Sequence, residues 1–125
     1  MPPRPGPTAT VTLTVAEADT AIALQSGDVP VLGTPRIIAL CEEVTCKAIG
    51  PQLEPGETTV GTRVELAHLQ PVAVGGEVTA EASLERADGR RLVFTVSVNS
   101  ANGLVAAGKI TRTVVNRERF LEKLG

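Results

Sequence analysis

The dipeptides Asp88-Gly89 and Asn102-Gly103 place two tight turns in the second half of the chain, each between segments in which apolar and polar residues alternate. Such dipeptides favour two-residue β-hairpin turns, because Gly and Asn readily adopt the positive φ angles that these turns require. The pattern predicts strands at 78–86, 92–100 and 104–115. These strands form an antiparallel sheet with one apolar face.

Two more segments alternate in the same way. Residues 8–15 are rich in Thr and Val and predict a first strand. Residues 58–70 predict a strand that begins a four-stranded antiparallel meander with the three above. Strict alternation would put these residues of that strand on one face: Val60, Thr62, Val64, Leu66 and His68.

A single long helix is predicted between these two strands. Thr34-Pro35 is a typical helix start, with Thr34 as the N-cap and Pro35 in the first turn. Gly50-Pro51 is a typical stop, so the helix covers 35–49. Its apolar stripe consists of Ile37, Ile38, Cys41, Val44, Thr45 and Ala48. Shorter helices are predicted at 17–24 and 116–124.

One apolar helix beside antiparallel strands is an α+β arrangement, in which the helix covers one face of the sheet. The order and lengths of the elements match the hotdog fold, with a curved sheet of about five strands wrapped around a central helix. A chain of 125 residues has room for one core. We therefore expect a single domain over 1–125, with a flexible proline-rich lead at 1–7. The uncovered sheet edge predicts a homodimer, or a tetramer.

Charge and aromatic content argue against nucleic acid as a partner. Twelve Lys and Arg stand against 14 Asp and Glu, which leaves no basic surplus to bind phosphates. The chain has no Trp or Tyr and only two Phe, so it has few aromatic rings on which bases could stack. We expect no nucleic-acid binding.

The chain shows no membrane or secretion signal. It has no run of roughly 20 apolar residues and no apolar segment after its first residues, which predicts a cytoplasmic protein without a membrane span. Cys41 and Cys46 are five residues apart in the predicted helix, a poor spacing for a disulfide, so we expect free thiols. With one His and no closely spaced Cys pair, neither a metal site nor a cofactor is expected.

Four residues are candidates for chemistry, and each also has an ordinary structural interpretation. His68 is either a core histidine bonded to a backbone carbonyl or an acid/base group. Glu42 lies beside the apolar stripe and is either a boundary residue or a general base, whereas Glu43 points to solvent. Thr34 needs no role beyond the N-cap. Gly61 interrupts a strand, which often marks the close approach of a ligand or another backbone.

Several short motifs together resemble the hotdog thioesterases of the fluoroacetyl-CoA thioesterase type, over about residues 33–120. They are Gly33-Thr34-Pro35, Glu42-Glu43, Leu53-Glu54-Pro55-Gly56-Glu57, Val60-Gly61-Thr62, Ala67-His68-Leu69 and Asp88-Gly89-Arg90-Arg91-Leu92.

This resemblance implies hydrolysis of an acyl-CoA or a related acyl thioester, with coenzyme A as part of the substrate and no other cofactor. Thr34, Glu42 and His68 keep the spacing of the family's active site. Glu42 would act as nucleophile or general base, His68 as acid/base partner and Thr34 as a positioning hydroxyl. Gly61 would contact the thioester carbonyl. Arg112 matches an arginine late in the last strand, where an exposed residue without function is the alternative.

The resemblance has one gap. The family's selectivity for fluoroacetate is associated with phenylalanines in a lid before the helix, whereas this chain has Val29-Pro30-Val31-Leu32 there. We therefore do not expect that selectivity here. Two other functions stay open at this point: a hotdog protein that binds acyl-CoA or a small ligand without catalysis, and a hydratase or dehydratase of the same fold.

Overall fold

The structure is a computed structural model that describes residues 6–125. Most of the predicted flexible lead, residues 1–5, lies outside the described residues. The next two residues continue the strand pairing of the sheet: the Gly6 N–H donates to the Leu84 carbonyl, and the Leu84 N–H donates to the Pro7 carbonyl, both at 3.0 Å.

Five strands and two α-helices make up the fold, and each lies within two residues of its predicted bounds. They are β1 (Thr8–Thr14), α1 (Thr34–Ile49), β2 (Glu57–His68), β3 (Glu77–Asp88), β4 (Arg91–Ser100), β5 (Gly103–Asn116) and α2 (Arg117–Glu122). Single 3₁₀ turns lie at Glu17–Asp19 and Gly50–Gln52.

The strands form one antiparallel sheet in the order β1-β3-β4-β5-β2. The prediction of a four-stranded meander is wrong for β2, which pairs with β5 rather than with β3. The two hairpin dipeptides join only β3 to β4 and β4 to β5, whereas residues 69–76 form a longer connection from β2 to β3. As a result β2 lies at an edge of the sheet.

A bulge interrupts β2 at Thr62, which is left out of the ladder between Gly61 and Arg63. A bulge adds a residue to one strand and exchanges the faces on which the flanking side chains lie. The prediction of unbroken alternation is therefore wrong, and Val60 lies on the face opposite to His68. The face toward α1 carries Thr59, Gly61, Val64, Leu66 and His68, whose pairing partners on β5 are Val114, Arg112, Ile110, Gly108 and Ala106.

α1 buries its apolar stripe mainly against β1 and β3. Its buried residues are Ile37, Leu40, Cys41, Val44, Thr45, Ala48 and Ile49, whereas Ile38, predicted within the stripe, is only half-buried. Phe94, Leu84 and Ile110 are fully buried on the sheet side of the same core. Each such side chain contributes about 1.5–3 kcal/mol by leaving water. Because α1 lies toward β1, it leaves much of β2 uncovered, and residues 61–65 are exposed.

The segment before α1 is not the helix predicted at 17–24. Only Glu17–Asp19 form a helical turn, and Thr20 then makes an antiparallel bridge with Leu32. An ion pair of 2.9 Å between Asp19 and Arg36 fastens this segment to the first turn of α1. Tertiary pairing has therefore replaced a weak local helix preference.

Both cysteines are free thiols on α1: Cys41 is buried and Cys46 is exposed. Burial, together with the neighbouring charge of Glu42, raises the pKa of the Cys41 thiol to about 11. Among residues 6–125, no helix is long and apolar enough to cross a membrane.

Candidate active site

Thr34 is the first residue of α1, and its hydroxyl is not used as a helix cap. The N-cap position belongs to Gly33, whose carbonyl accepts the N–H groups of Arg36 and Ile37. The prediction of Thr34 as the N-cap is therefore wrong by one residue, because the helix begins earlier. The Thr34 hydroxyl instead lies 2.8 Å from Nδ1 of His68, at the end of β2.

The second ring nitrogen of His68 defines the direction of that hydrogen bond. Nε2 lies 3.0 Å from the carbonyl oxygen of Gln70, which only accepts hydrogen bonds, so Nε2 carries a proton. In a neutral imidazole Nδ1 is then the acceptor, and the Thr34 hydroxyl donates to it. His68 is half-buried and makes both contacts, so it is more than a core histidine bonded to a carbonyl. It can accept a proton from an oxygen in the position of the Thr34 hydroxyl.

Glu42 lies on α1 eight residues after Thr34, and its side chain is 39% exposed. One carboxylate oxygen, Oε2, lies 3.3 Å from Nη1 of Arg112 on β5. Glu43 is exposed, as its position on the helix predicted. The two adjacent carboxylates therefore have different surroundings, and only that of Glu42 faces a cation at the sheet.

Arg112 is buried, with 8% of its side chain exposed, so the interpretation as an exposed strand residue is wrong. Its Nε donates to the Thr59 hydroxyl at 2.9 Å and its Nη2 to the Thr59 carbonyl at 3.1 Å. A buried guanidinium needs such partners, because an unpaired buried charge is very unfavourable. Thr59 was not among the residues predicted from the sequence. The one feature that points to it is its position in β2, two residues before Gly61, which puts both residues on the same face.

Gly61 leaves the space that the Glu42 carboxylate occupies. A Cβ atom on Gly61 would lie 2.5 Å from Oε2 of Glu42 and 3.3 Å from Nη1 of Arg112. A glycine within a strand predicted the close approach of a ligand or another backbone. The group that approaches Gly61 in the structure is instead the side chain of Glu42 from the same chain.

The five candidate residues form two separate groups. Thr34 and His68 lie at the end of β2, whereas Glu42 and Arg112 lie beside Gly61, near the middle of that strand. Eight residues of helix separate the Thr34 and Glu42 backbones by about 12 Å along the axis. Within one chain, the hydrogen-bonded pair of Thr34 and His68 is thus separate from the ion pair of Glu42 and Arg112.

Comparison with known proteins places this chain in a family. The family model described as fluoroacetyl-CoA-specific thioesterase matches residues 15–118, which include both groups. The chain belongs to this thioesterase family. The fluoroacetyl-CoA thioesterase of Streptantibioticus cattleyicolor is 33% identical over 94 residues, 75% of this chain and 68% of that protein.

Solved structures of thioesterases share the fold. A structure of a fluoroacetyl-CoA thioesterase superposes with a TM-score of 0.91 at 30% identity, covering 98% of this chain and 95% of the other. A thioesterase superfamily member from Thermus thermophilus gives a TM-score of 0.90 at 25% identity, covering 99% and 91%. The predicted family and hotdog fold are confirmed, and so is thioester hydrolysis as the class of activity.

Proposed function

We propose that this chain hydrolyses acyl-CoA thioesters with Thr34, Glu42 and His68 as its catalytic residues and with Gly61 and Arg112 binding or ordering the substrate. The observation that carries this assignment is the hydrogen bond from the Thr34 hydroxyl to Nδ1 of His68. Thioester hydrolysis needs a group that accepts and returns a proton beside the reacting atoms, and in its neutral form His68 can accept a proton at Nδ1, on the side where the Thr34 hydroxyl lies.

In the proposed reaction, an oxygen nucleophile adds to the thioester carbonyl carbon and the C–S bond then breaks. The Gly61 N–H and the positive end of α1 stabilise the charge on the carbonyl oxygen. Glu42 either removes a proton from the attacking water or attacks the carbonyl carbon itself. In the first route the proton taken by Glu42 passes through His68 to the departing thiolate of coenzyme A. In the second route the thiolate leaves first, and His68 takes a proton from the water that hydrolyses the mixed anhydride and passes it to the thiolate. Arg112 holds the Glu42 carboxylate in position. The products are a carboxylic acid and free coenzyme A.

Direct attack by Glu42 and attack by water are distinguished by a single turnover in ¹⁸O-labelled water with enzyme in excess over substrate. Attack by water puts the label into the acid product in the first turnover. Attack by Glu42 gives a mixed anhydride, and hydrolysis of its glutamyl carbonyl puts the label into the protein and leaves the first acid product unlabelled. Mass spectrometry measures the ¹⁸O content of the acid product and of the peptide that contains Glu42, and so distinguishes the two routes.

The active form in this proposal is a homodimer that pairs β2 with β2 of a second copy. The free edge of β2 is exposed over residues 61–65, and the apolar side chains of Val64 and Leu69 are 39% and 55% exposed. An antiparallel pairing centred on residue 65, with Thr62 again left out of the ladder, puts the partner's Gly61 opposite His68. Each active site then joins Thr34 and His68 of one protomer with Glu42 and Gly61 of the other.

Cytoplasmic location and independence of added cofactors are also part of the proposal. Two free thiols on one helix suit a reducing compartment. The acid/base groups named above are all protein side chains, so we expect activity to persist after dialysis against EDTA. Activity that is lost with EDTA and restored by a metal ion would contradict this part.

A hydrolysis screen over short, medium, branched and aryl acyl-CoAs tests the function, with release of the thiol as the readout. We expect at least one of these substrates to be cleaved by the unmodified protein and not by the Glu42→Gln variant. Cleavage of none of them would leave binding without catalysis as the better interpretation.

A further inference from the structure

Thr59 lies on the face of β2 that is turned toward α1, where it makes two hydrogen bonds to the guanidinium of Arg112. Nε of Arg112 donates to the Thr59 hydroxyl at 2.9 Å, and Nη2 donates to the Thr59 carbonyl at 3.1 Å. A guanidinium is planar, so bonds from these two nitrogens to one residue define its orientation. The third nitrogen, Nη1, then lies 3.3 Å from Oε2 of Glu42.

Thr59 holds Arg112 more closely than Glu42 does. In the part of the chain that the structure describes, two of the three hydrogen bonds from the Arg112 side chain end on Thr59. The contact with Glu42 is a single one, and at 3.3 Å it is longer than the usual length for a charged pair, about 2.7–2.9 Å. The Glu42 side chain is also 39% exposed, whereas that of Arg112 is 8% exposed. The buried guanidinium is therefore oriented from the Thr59 side, and the carboxylate follows it.

The register of β2 against β5 brings Thr59 and Arg112 together. Gly61 lies directly opposite Arg112 and Thr59 lies opposite Val114, so Thr59 is the diagonal neighbour of Arg112 on the face toward α1. Gly61 has no side chain, and a Cβ atom there would lie 3.3 Å from Nη1 of Arg112. The guanidinium thus has the room to reach across Gly61 to the Thr59 hydroxyl. This arrangement depends on a hydroxyl at residue 59 and on a glycine at residue 61.

We propose that Thr59 is a positioning residue for thioester hydrolysis. Its hydroxyl fixes the orientation of Arg112, and Arg112 holds the Glu42 carboxylate beside Gly61. Thr59 does not act on the reacting atoms itself, so its effect reaches the reaction only through Glu42. The inference rests on the proposed function, in which Glu42 acts in the chemical step, and it adds to that step a residue outside the catalytic groups.

Variants of Thr59 with and without a hydroxyl test this role by steady-state kinetics. Thr59→Val keeps the shape of the side chain and replaces its hydroxyl by a methyl group. We expect kcat to fall about ten-fold while KM stays within about two-fold, because a misplaced Glu42 affects the transition state more than it affects substrate binding. Thr59→Ser keeps the hydroxyl and should restore most of kcat. Thr58→Val is the matched control, since Thr58 lies on the opposite face of the same strand, and it should leave kcat unchanged.

Three results of these kinetics would overturn the inference: an unchanged kcat in Thr59→Val, equal losses in Thr59→Val and Thr59→Ser, or the same loss in Thr58→Val. Thermal unfolding verifies that each variant is folded. Thr59→Ala takes the place of Thr59→Val if the latter does not fold, because the smaller side chain leaves space for water beside Nε of Arg112. The same fall in kcat is expected, since a mobile water does not fix the guanidinium.

An NMR signal of Arg112 tests the same contact without any need for turnover. The Nε–H group of an arginine gives its own ¹H–¹⁵N correlation, and the signal of Arg112 is identified by its absence in Arg112→Lys. We expect this proton to be protected from exchange with solvent in the unmodified protein, in Thr59→Ser and in Glu42→Gln, and to lose that protection in Thr59→Val or Thr59→Ala. Equal protection with and without the hydroxyl would overturn the inference.

The two measurements separate this inference from the proposed function. Cleavage of an acyl-CoA by the unmodified protein, with the same kcat in Thr59→Val, overturns the inference and leaves the proposed function standing. Cleavage of no acyl-CoA by the unmodified protein overturns the proposed function. If the protection of the Arg112 signal then still depends on the hydroxyl, the orientation of Arg112 by Thr59 stands, and its link to hydrolysis is overturned.

Discussion

Gly61 and the carboxylate of Glu42 are in such close contact that a single methyl group on Gly61 would overlap Oε2, at 2.5 Å. The strand and the helix thus meet at one point where only a glycine leaves the carboxylate beside Arg112. In this structure, the Glu42 side chain can occupy its position only because residue 61 is a glycine.

Gly61→Ala should therefore displace the Glu42 carboxylate and lower kcat by about ten- to a hundred-fold, because misplacing a reacting group by about 1 Å has effects of that size. We expect the melting temperature to change little, since the displaced group is the end of a flexible side chain. Gly50→Ala is the control, because a Cβ there meets nothing within 4 Å. Full activity of Gly61→Ala would contradict the assigned position of Glu42.

Glu42→Gln preserves the shape of the side chain and removes its charge and basicity. We expect kcat to fall by about 10²-fold or more, the usual effect of losing an acid/base group. Glu43→Gln makes the same chemical change on an adjacent, exposed residue and should leave kcat unchanged. Steady-state rates and thermal unfolding of both variants are the measurements. Similar rates for the two variants would exclude a chemical role for Glu42.

Mixed dimers test whether each active site draws on two protomers. Glu42→Gln and His68→Asn chains, each inactive alone, should regain about a quarter of the unmodified activity when they are refolded together in equal amounts, since half of the dimers are mixed and each has one intact site. Light scattering would verify that the species is a dimer. If each site is built within one chain, mixing restores nothing.

The two cysteines should differ sharply in reactivity toward iodoacetamide. Below pH 9, we expect one alkylated thiol per native chain, at the exposed Cys46, and two after unfolding. The raised pKa of about 11 keeps Cys41 protonated in the folded protein, whereas the unfolded thiol ionises near 9.0. Folding stability should therefore decline as the pH rises from about 9 to 11. Mass spectrometry and unfolding at several pH values measure the two effects, and rapid labelling of Cys41 would contradict both.

Fluoroacetyl-CoA should not be strongly preferred over acetyl-CoA. Residues 29–32 before α1 contain no aromatic side chain, and the nearby apolar residues Ile22, Leu24 and Val29 are aliphatic and exposed. We expect the two kcat/KM values to agree within about ten-fold, since an aliphatic pocket discriminates weakly between substituents of similar size. A preference of several hundred-fold would show that selectivity does not need aromatic residues in this segment.

Local pattern in the sequence was sufficient for the five strands, for α1 and for α2, although not for residues 17–24. The dipeptides Asp88-Gly89 and Asn102-Gly103 act within their own turns, and the stripe around Cys41 follows from helix geometry, so none of these depends on distant parts of the chain. The spacing of Thr34, Glu42, Gly61 and His68 carried the resemblance to the family without any coordinates.

What tertiary structure decided was the pairing of elements far apart in sequence. That β2 pairs with β5, and that the Thr62 bulge turns Thr59 and Gly61 toward α1, depends on contacts between residues some 50 positions apart. The same holds for the Thr34 hydroxyl, which the sequence predicted as a cap. Its bond to His68 exists because α1 begins at Thr34, with Gly33 as the N-cap, and lies across the end of β2. Non-local packing of this kind overrides local preferences.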